Sequence, residues 1–498
     1  MRRRWTSSGA PQALGAAAAA RNKPASSVRP EWWGKRIGQP YAGSHPHLAF
    51  TSEHDVIPGI TRTEMAARRR ALLQGMPPRS LALVAANPQY YMSTDIPYMY
   101  HPNTNLAYLT GLQEPDSLLV CVKGDSEEYT RLLVRPRDVV REQWDGPRIG
   151  AERAAYVLGM SHVDELRGGE ALRTVLEPLI DSARTLYFDP DVNAGLTLQL
   201  RQVLSPAMFK KLAAGPDKVP EVLLRMRLLK SESERVLLHQ AAHIMSDSLN
   251  ETIRWSVFSA RSSPAREIPE AHVAARLEFE CRVRGADKMS FPPVVASGER
   301  STTLHYITND HVAKAGDLIL VDAGCELHGY CSDVSRAWPV SGRFSAPQRD
   351  VYSMLLEVEQ ACIALCRDKV VSHLDELHAA SVLLIEQGLV HLKALPMSST
   401  SRRSHSYFNY YPHSIGHYLG MDVHDVHSLP KNIPFEVGMA FTIEPGVYFP
   451  PDDDRVSPHF RGLGMRIEDD MLFEEHGKLS VLSDGAVKTV EEIESLIT

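Results

Sequence analysis

Four acidic residues and one histidine in the C-terminal half have the types and spacing of a metal site. They are Asp322, Asp333, His417, Glu444 and Glu468. Asp322 ends an apolar segment, where a charged and unpaired acid is unfavourable because its desolvation costs several kcal/mol. Divalent cations would hold such acids in place. For any one of these acids considered alone, the alternative to metal binding is an ion pair with Arg336 or Arg466.

Two predicted hairpins would position these acids. Residue alternation places Leu318, Leu320 and Asp322 on one strand face, and a turn near 326–329 sends the chain back through Asp333. The second hairpin would pair 441–446, which carries Glu444, with 465–470. In 465–470, Arg466, Glu468 and Asp470 share a face. The sequence therefore predicts two ribbons that each bring acids together.

The segment 411–425 adds three histidines, His413, His417 and His424. An HxxxH spacing is usually a metal pair on a helix, but Gly416 argues against a helix here and the glutamate of zinc peptidases is missing. We expect one neutral imidazole ligand together with uncoordinated hydrogen-bond donors. The isolated His305 is by default a structural histidine.

Composition excludes several classes of protein. The 498 residues carry a net charge of -7 with scattered Lys and Arg, which disfavours a nucleic-acid partner. The longest small-apolar run, residues 16–20, is far shorter than a membrane span. The six cysteines form no CxxC pair and no disulfide framework.

The chain divides into a leader, a connector and two domains. Residues 1–30 are rich in Arg, Ser and Ala and resemble a mitochondrial transit peptide, the alternative being a disordered N-terminus. Residues 31–60 are predicted to be an extended connector, and 61–229 an α/β domain. A capping box, Ser231 with Glu234, opens the second domain, 230–498, in which an antiparallel sheet is covered by helices.

Five motifs carry a family resemblance: VDAG at 321–324, CSDVSRAWPV at 331–340, GHYLGMDVHD at 416–425, TIEPGVY at 442–448 and RGLGMRIEDD at 461–470. Together they resemble the pita-bread metallopeptidases, and among them aminopeptidase P. Residues 87–120 and REQWDGPR at 141–148 extend the likeness to the first domain. The resemblance implies an α+β chain. Its C-terminal catalytic domain would be a pita-bread fold, a curved antiparallel sheet with covering helices, and its N-terminal α/β domain would be creatinase-like.

The resemblance also implies a role for each site residue. Asp322 would chelate one ion, His417 and Glu444 the other, and Asp333 and Glu468 would bridge the two. His305 and His424 would steady the peptide carbonyl without binding metal, His413 would line the pocket, and Glu444 would shuttle a proton. Arg466 would orient Asp322. Phe291 falls where a human relative has a substrate-contacting tyrosine, so Phe291, Asp322, His417 and His424 would contact substrate.

The implied activity is release of the first residue from Xaa-Pro-Xaa peptides. Two divalent ions, most simply Mn²⁺ for so oxygen-rich a ligand set, would activate a shared water. The resemblance further implies a homodimer in the mitochondrial matrix, with a cytoplasmic pool as a second location. The alternatives are a prolidase that cuts only Xaa-Pro dipeptides, and an inactive pita-bread domain that serves as a binding module.

Overall fold

A computed structural model describes residues 29–215, 217–394 and 406–496. The predicted leader up to residue 28 lies outside the described residues. The connector that follows is irregular as far as His54, yet Trp32 and Tyr41 within it are buried. The Trp32 ring lies 5.4 Å from that of Tyr156, which anchors the connector on the first domain. None of the described helices is both long and apolar enough to cross a bilayer.

The first domain is built on one mixed sheet. Its elements are β1 (Asp55–Ile57), β2 (Ile60–Thr61), α1 (Arg62–Gly75), β3 (Ser80–Ala85), α2 (Thr104–Thr110), β4 (Leu118–Lys123), β5 (Glu128–Val134), α3 (Val139–Asp145), α4 (Gly150–Leu158), β6 (Val163–Glu165), α5 (Glu170–Ser182), β7 (Thr185–Phe188), α6 (Ala194–Val203), α7 (Pro206–Ala213) and α8 (Glu221–Leu228). The strand order is β6–β5–β4–β3–β7, with β3 parallel to β7 and β5 parallel to β6. The predicted α/β class of this domain is confirmed.

The second domain combines antiparallel strands with long helices. Its elements are α9 (Glu232–Ser262), β8 (Glu267–Pro269), α10 (Glu270–Val283), β9 (Lys288–Met289), β10 (Val294–Ser297), β11 (Val312–Lys314), β12 (Leu318–Ala323), β13 (Cys325–Leu327), β14 (Tyr330–Cys331), β15 (Val334–Pro339), α11 (Ala346–Arg367), α12 (Leu374–His391), β16 (Ala440–Ile443), β17 (Gly446–Tyr448), β18 (Gly464–Arg466), β19 (Asp469–Phe473), β20 (Leu479–Val481) and α13 (Val490–Leu496). Helix α9 packs on β13, β14 and β15, and α11 packs on α12 and β16. The predicted α+β class is confirmed.

Helix α9 begins where the sequence predicts. Both hydrogen bonds of the capping box between Ser231 and Glu234 are present. The helix runs to Ser262, and its buried face continues through Val257 and Ala260. The domain limits 61–229 and 230–498 stay a prediction.

The first ribbon pairs β12 with β15 and β13 with β14 in one continuous register. Its tip is at His328 and Gly329, which both have positive φ, as a tight two-residue hairpin requires. The ladder is interrupted between these two pairs, at Gly324 on one side and Asp333 on the other. A side chain on Gly324 would clash with the Ser332 carbonyl, 1.7 Å from the added carbon, so the strands approach closely beside Asp333.

The second ribbon has the same construction. It pairs β16 with β19 and β17 with β18 in one register, so Glu444 lies opposite Glu468. The predicted pairing of 441–446 with 465–470 is confirmed, although the ladder breaks at both acids. Pro445 has no N–H to donate, so only its carbonyl takes part in the pairing, accepting from the Ile467 N–H at 3.2 Å.

The two interruptions are where the ribbons join. The Asp333 N–H donates to the Asp470 carboxylate, 3.0 Å from one oxygen, and the Glu468 N–H donates to the Ser335 carbonyl at 3.1 Å. The backbone groups freed by the breaks therefore bond across the ribbons. These bonds bring the acids of both hairpins into one place.

Arg336 reinforces this junction from beneath. Its fully buried guanidinium donates to the Glu468 carbonyl at 2.7 Å and pairs with Asp469 at 2.7 Å. It also donates to the Ala486 and Val487 carbonyls, each at 3.0 Å.

We expect Arg336→Met to lower the free energy of unfolding by about 3–5 kcal/mol, because it leaves several buried carbonyls without a donor and Asp469 with Lys488 as its remaining charged partner. Urea denaturation would measure the change. The control is Arg343→Met, which breaks an exposed pair with Glu494 and should change stability by less than about 1 kcal/mol. Equal midpoints for the two variants would contradict this account.

Candidate metal centre

The histidine segment is extended and lies beside β16. Residues 412–417 are not helical, so the argument from Gly416 against a helical metal pair is confirmed. The Thr442 N–H donates to the His417 carbonyl at 2.9 Å, and the Glu444 N–H donates to the Ile415 carbonyl at 2.8 Å. A side chain on Gly416 would come within 1.9 Å of the Thr442 carbonyl oxygen. Glycine thus allows the approach that places His417 next to Glu444.

All five predicted ligands line one cavity of about 380 Å³, the metal cavity. Ligand atoms of Asp333, His417 and Glu468 lie within 4.8 Å of one another. His417 Nε2 is 3.4 Å from Asp333 Oδ2 and 3.6 Å from Glu444 Oε1. Residues separated by up to 146 positions in sequence therefore line one cavity.

Charge in the cavity is strongly unbalanced. Burial raises the pKa of Asp333 well above its ordinary value, and Asp322 and Asp470 raise it further. Burial and Asp333 likewise raise the pKa of Glu468, and burial raises the pKa of Glu444. In the described part of the chain, Asp322 Oδ1 and Asp333 Oδ1 are buried without a hydrogen-bond donor. Oxygens in this state are what divalent cations bind, so the residues fit a metal centre.

Arginine pairing accounts for only part of this charge. Arg336 pairs with Asp469, outside the ligand set. Arg466 pairs with Asp322 through Nη2 and lies 3.9 Å from Glu468, and among the described residues no arginine contacts Asp333 or Glu444. Arginine pairing therefore satisfies Asp322 and reaches Glu468 only at this longer distance.

Arg466 is held by residues that the sequence analysis did not single out. Its Nε donates to Ser335 Oγ at 2.9 Å, and Ser335 in turn donates to Glu468 at 2.6 Å. Its Nη1 donates to the Tyr448 hydroxyl at 2.6 Å. Ser335 lies in the motif at 331–340 and Tyr448 in the motif at 442–448. The alternation of side chains between the two faces of a strand was the signal that could have identified them.

Family models match both domains. Metallopeptidase family M24 matches residues 236–475, and the aminopeptidase P N-terminal domain matches residues 65–187. Mouse Xaa-Pro aminopeptidase 3 is 39% identical over 476 residues, which cover 92% of this chain and 90% of the mouse protein.

The chain belongs to metallopeptidase family M24. The crystal structure of Icp55 from Saccharomyces cerevisiae matches with 30% identity and a TM-score of 0.76, covering 89% of this chain and 99% of that one. Zinc-substituted Escherichia coli aminopeptidase P in complex with product matches with 31% identity and a TM-score of 0.77, covering 88% and 98%. The predicted pita-bread architecture and metallopeptidase class are confirmed.

Three further histidines lie near the five predicted ligands. The His424 ring lies 4.3 Å from the His417 ring, and His305 lines the same cavity. Burial and His417 lower the pKa of His424 to about 4, so its ring is neutral at neutral pH. Burial and Arg466 lower the pKa of His413 to about 3. His413 contacts the Ser414 carbonyl through Nδ1 at 2.9 Å and the Tyr448 hydroxyl through Nε2 at 3.0 Å.

Phe291 lines an adjoining cavity of about 510 Å³, together with Pro292 and Ile307. His305, Asp322, Asp333 and His424 are shared by both cavities. The sequence analysis missed Lys431, whose ammonium group lines the metal cavity and donates to the Gly416 carbonyl at 2.8 Å. A lysine in an irregular loop gives no signal of this position.

We expect Mn²⁺ to raise the melting temperature of the metal-free protein and Asp333→Asn to abolish most of that rise. Binding to the folded state alone adds about 2.7 kcal/mol at a hundred times Kd, and the variant removes a central ligand. Differential scanning fluorimetry with increasing Mn²⁺ would measure the shifts.

The matched control is Asp310→Asn. Asp310 belongs to another acid and histidine cluster, with Glu270 and His311. Tyr306, His311 and Ser297 already hydrogen-bond Glu270, so that cluster has no need of a cation. Loss of the Mn²⁺ shift in this control, or its retention in Asp333→Asn, would place the metal elsewhere.

Proposed function

We propose that this chain is a metal-dependent Xaa-Pro aminopeptidase, which releases the first residue of peptides with proline at the second position. The observation that carries the proposal is the intact ligand set, with unsatisfied carboxylate oxygens directed into one cavity. The activity named for its relatives in mouse, human and Dictyostelium discoideum supports the choice of substrate.

The residues divide between two ion positions. Asp322 would hold one ion and His417 with Glu444 the other, while Asp333 and Glu468 would contact both. One imidazole and four carboxylates are a hard ligand set, which favours manganese. Divalent ions bound there would supply the Lewis acidity that activates water and polarises a peptide carbonyl.

The remaining residues position the substrate and move protons. His424, whose ring is neutral, and His305 would donate hydrogen bonds to the peptide carbonyl, and to its oxygen as negative charge develops. Glu444, whose pKa is raised by burial, would accept a proton and deliver it to the leaving nitrogen. Arg466 would keep Asp322 oriented, and His413 would support Arg466 through Tyr448.

The apolar wall formed by Phe291, Pro292 and Ile307 would pack against substrate side chains. A bond to proline is a tertiary amide without an N–H, so the enzyme need not supply an acceptor at that nitrogen. Phe291 offers a ring but no hydroxyl, so this position would contribute packing rather than a hydrogen bond.

We expect kcat/KM for an Xaa-Pro-Xaa tripeptide to exceed that for the matching Xaa-Pro dipeptide by at least about tenfold, because extra substrate contacts lie beyond the proline. Asp333→Ala should lower kcat more than a hundredfold, since loss of a residue that only hydrogen-bonds a metal ligand already costs about 10–100-fold. Chromatography of the released first residue, with Mn²⁺ present, measures both the peptide preference and the effect of Asp333→Ala. A profile confined to dipeptides would indicate a prolidase, and equal inertness of both proteins would indicate a binding module.

We also propose a homodimer joined through the first domain. The segment between Gln89 and Tyr100 is a short hairpin, in which Tyr91 bridges to Pro97. Its large apolar side chains are half exposed or more: Tyr90, Tyr91, Met92, Ile96, Tyr98 and Met99. Together they present on the order of several hundred Å² of apolar surface, which in soluble proteins marks an interaction site.

We expect Met92→Lys to shift the protein from dimer to monomer, because it places a charge in an apolar interface. Leu198→Lys is the control, since Leu198 is similarly exposed but lies on α6, outside the hairpin. Light scattering after size-exclusion chromatography reads the mass directly. A dimer that survives Met92→Lys would exclude this surface.

We propose import into the mitochondrial matrix, with a cytoplasmic pool as the alternative location. The composition of residues 1–30 supports targeting, and an Arabidopsis thaliana relative, 34% identical over 462 residues, carries a mitochondrial name.

A further inference from the structure

The loop that carries His424 has no regular structure of its own. Residues 420–426, the His424 loop, form neither helix nor strand. Backbone hydrogen bonds fix it near both ends, from the Cys331 N–H to the Gly420 carbonyl at 2.9 Å and from the Asp425 N–H to the Tyr418 carbonyl at 2.9 Å. The position of His424 between these points therefore depends on side chains.

A single guanidinium holds the two aspartates of this loop. Arg227 Nη2 donates to Asp422 Oδ2 at 2.8 Å and to Asp425 Oδ1 at 2.5 Å. The two carboxylates are two residues before His424 and one residue after it. Lys230 completes the contact, with its ammonium nitrogen 3.1 Å from Asp425 Oδ2. Movement of Arg227 would thus move both sides of His424.

The other half of the guanidinium is held by the first domain. Arg227 Nη1 donates to Thr104 Oγ1 at 3.0 Å and to Asn105 Oδ1 at 2.7 Å, at the start of α2. Thr104 also donates to Asp422 Oδ2 at 2.9 Å. The first domain therefore contacts the His424 loop both directly and through Arg227, which lies in α8 between the two family matches.

Arg227, Lys230 and Asp425 in this network are buried, so their relative geometry is narrowly defined. The side chains of Arg227 and Asp425 are only 4% and 1% exposed. Although burial raises the pKa of Asp425, Arg227 and Lys230 hold it below its ordinary value. Desolvated charges favour the one arrangement that pairs them, and any other arrangement leaves a buried charge alone.

We propose that Arg227 is a positioning residue for His424, through which the first domain sets the location of that imidazole in the metal cavity. The proposal rests on the proposed function, in which His424 binds the peptide carbonyl. Displacement of a positioned group by about 1 Å can cost a hundredfold in rate. Arg227 touches none of the five ligands, so its loss should leave metal binding intact.

A double-mutant cycle on full-length protein with Mn²⁺ tests the proposal. Arg227→Gln should lower kcat for an Xaa-Pro-Xaa peptide by about 10–100-fold. Its Mn²⁺ melting shift should equal that of wild type. In a His424→Ala background, Arg227→Gln should lower kcat less than about threefold, because the group it positions is already absent.

Arg68→Gln is the matched control. Arg68 is equally buried, 5% exposed, and joins α1 to α9 by pairing with Glu64 and Glu234. It lies at the same domain boundary, but its partners flank no site residue. Its effect on kcat, whatever its size, should be the same with and without His424.

The outcomes separate the two proposals. If His424→Ala retains wild-type kcat, the proposed role of His424 fails, and the positioning role fails with it. If His424→Ala is impaired but the Arg227→Gln effect is undiminished in that background, only the positioning role is overturned.

Should Arg227→Gln not fold, Asp422→Asn replaces it. The Asp422 side chain is 40% exposed, and this substitution removes the same charged contact beside His424. The same non-additivity with His424→Ala is expected, and additive effects would overturn the proposal.

Discussion

The structure depends on the cost of placing four carboxylates in one desolvated cavity. Asp322, Asp333, Glu444 and Glu468 share the metal cavity, and Arg466 compensates only Asp322 by direct contact. Raised pKa values and unsatisfied carboxylate oxygens are the two signs of this imbalance. Divalent cations relieve it, so metal binding and stability are linked in this fold. The same excess of negative charge is what a metallopeptidase needs to hold two cations close together.

The two ribbons solve the geometric part of that problem. A continuous ladder would use every backbone group within its own hairpin, whereas the interruptions at Asp333 and Glu468 free N–H groups to bond across the ribbons. Arg336 lies beneath this junction and donates hydrogen bonds to the buried carbonyls of Glu468 and Ala486. The breaks in pairing therefore serve the site, because they allow two hairpins to present their acids to the same point.

The first domain contacts a loop of the site directly. Its helix α2 and the following α8 reach the His424 loop through Thr104 and Arg227. A loop without regular structure can hold a histidine accurately only when its flanking side chains are fixed, and the first domain supplies that fixation. This arrangement explains how two domains with separate family models form one functional unit.

The sequence by itself determined the local elements and the ligand types. The capping box at Ser231 and the residue types of the five predicted ligands could be read directly, because caps and residue chemistry are local signals. The sequence could not place the breaks at Glu444 and Glu468, nor the roles of Ser335, Tyr448 and Lys431. Only the tertiary structure decided these, and it decided the contact of Arg227 with Asp425, 198 residues apart. The physical reason is that a buried polar group is defined by the partner that satisfies it, and folding alone brings distant partners together.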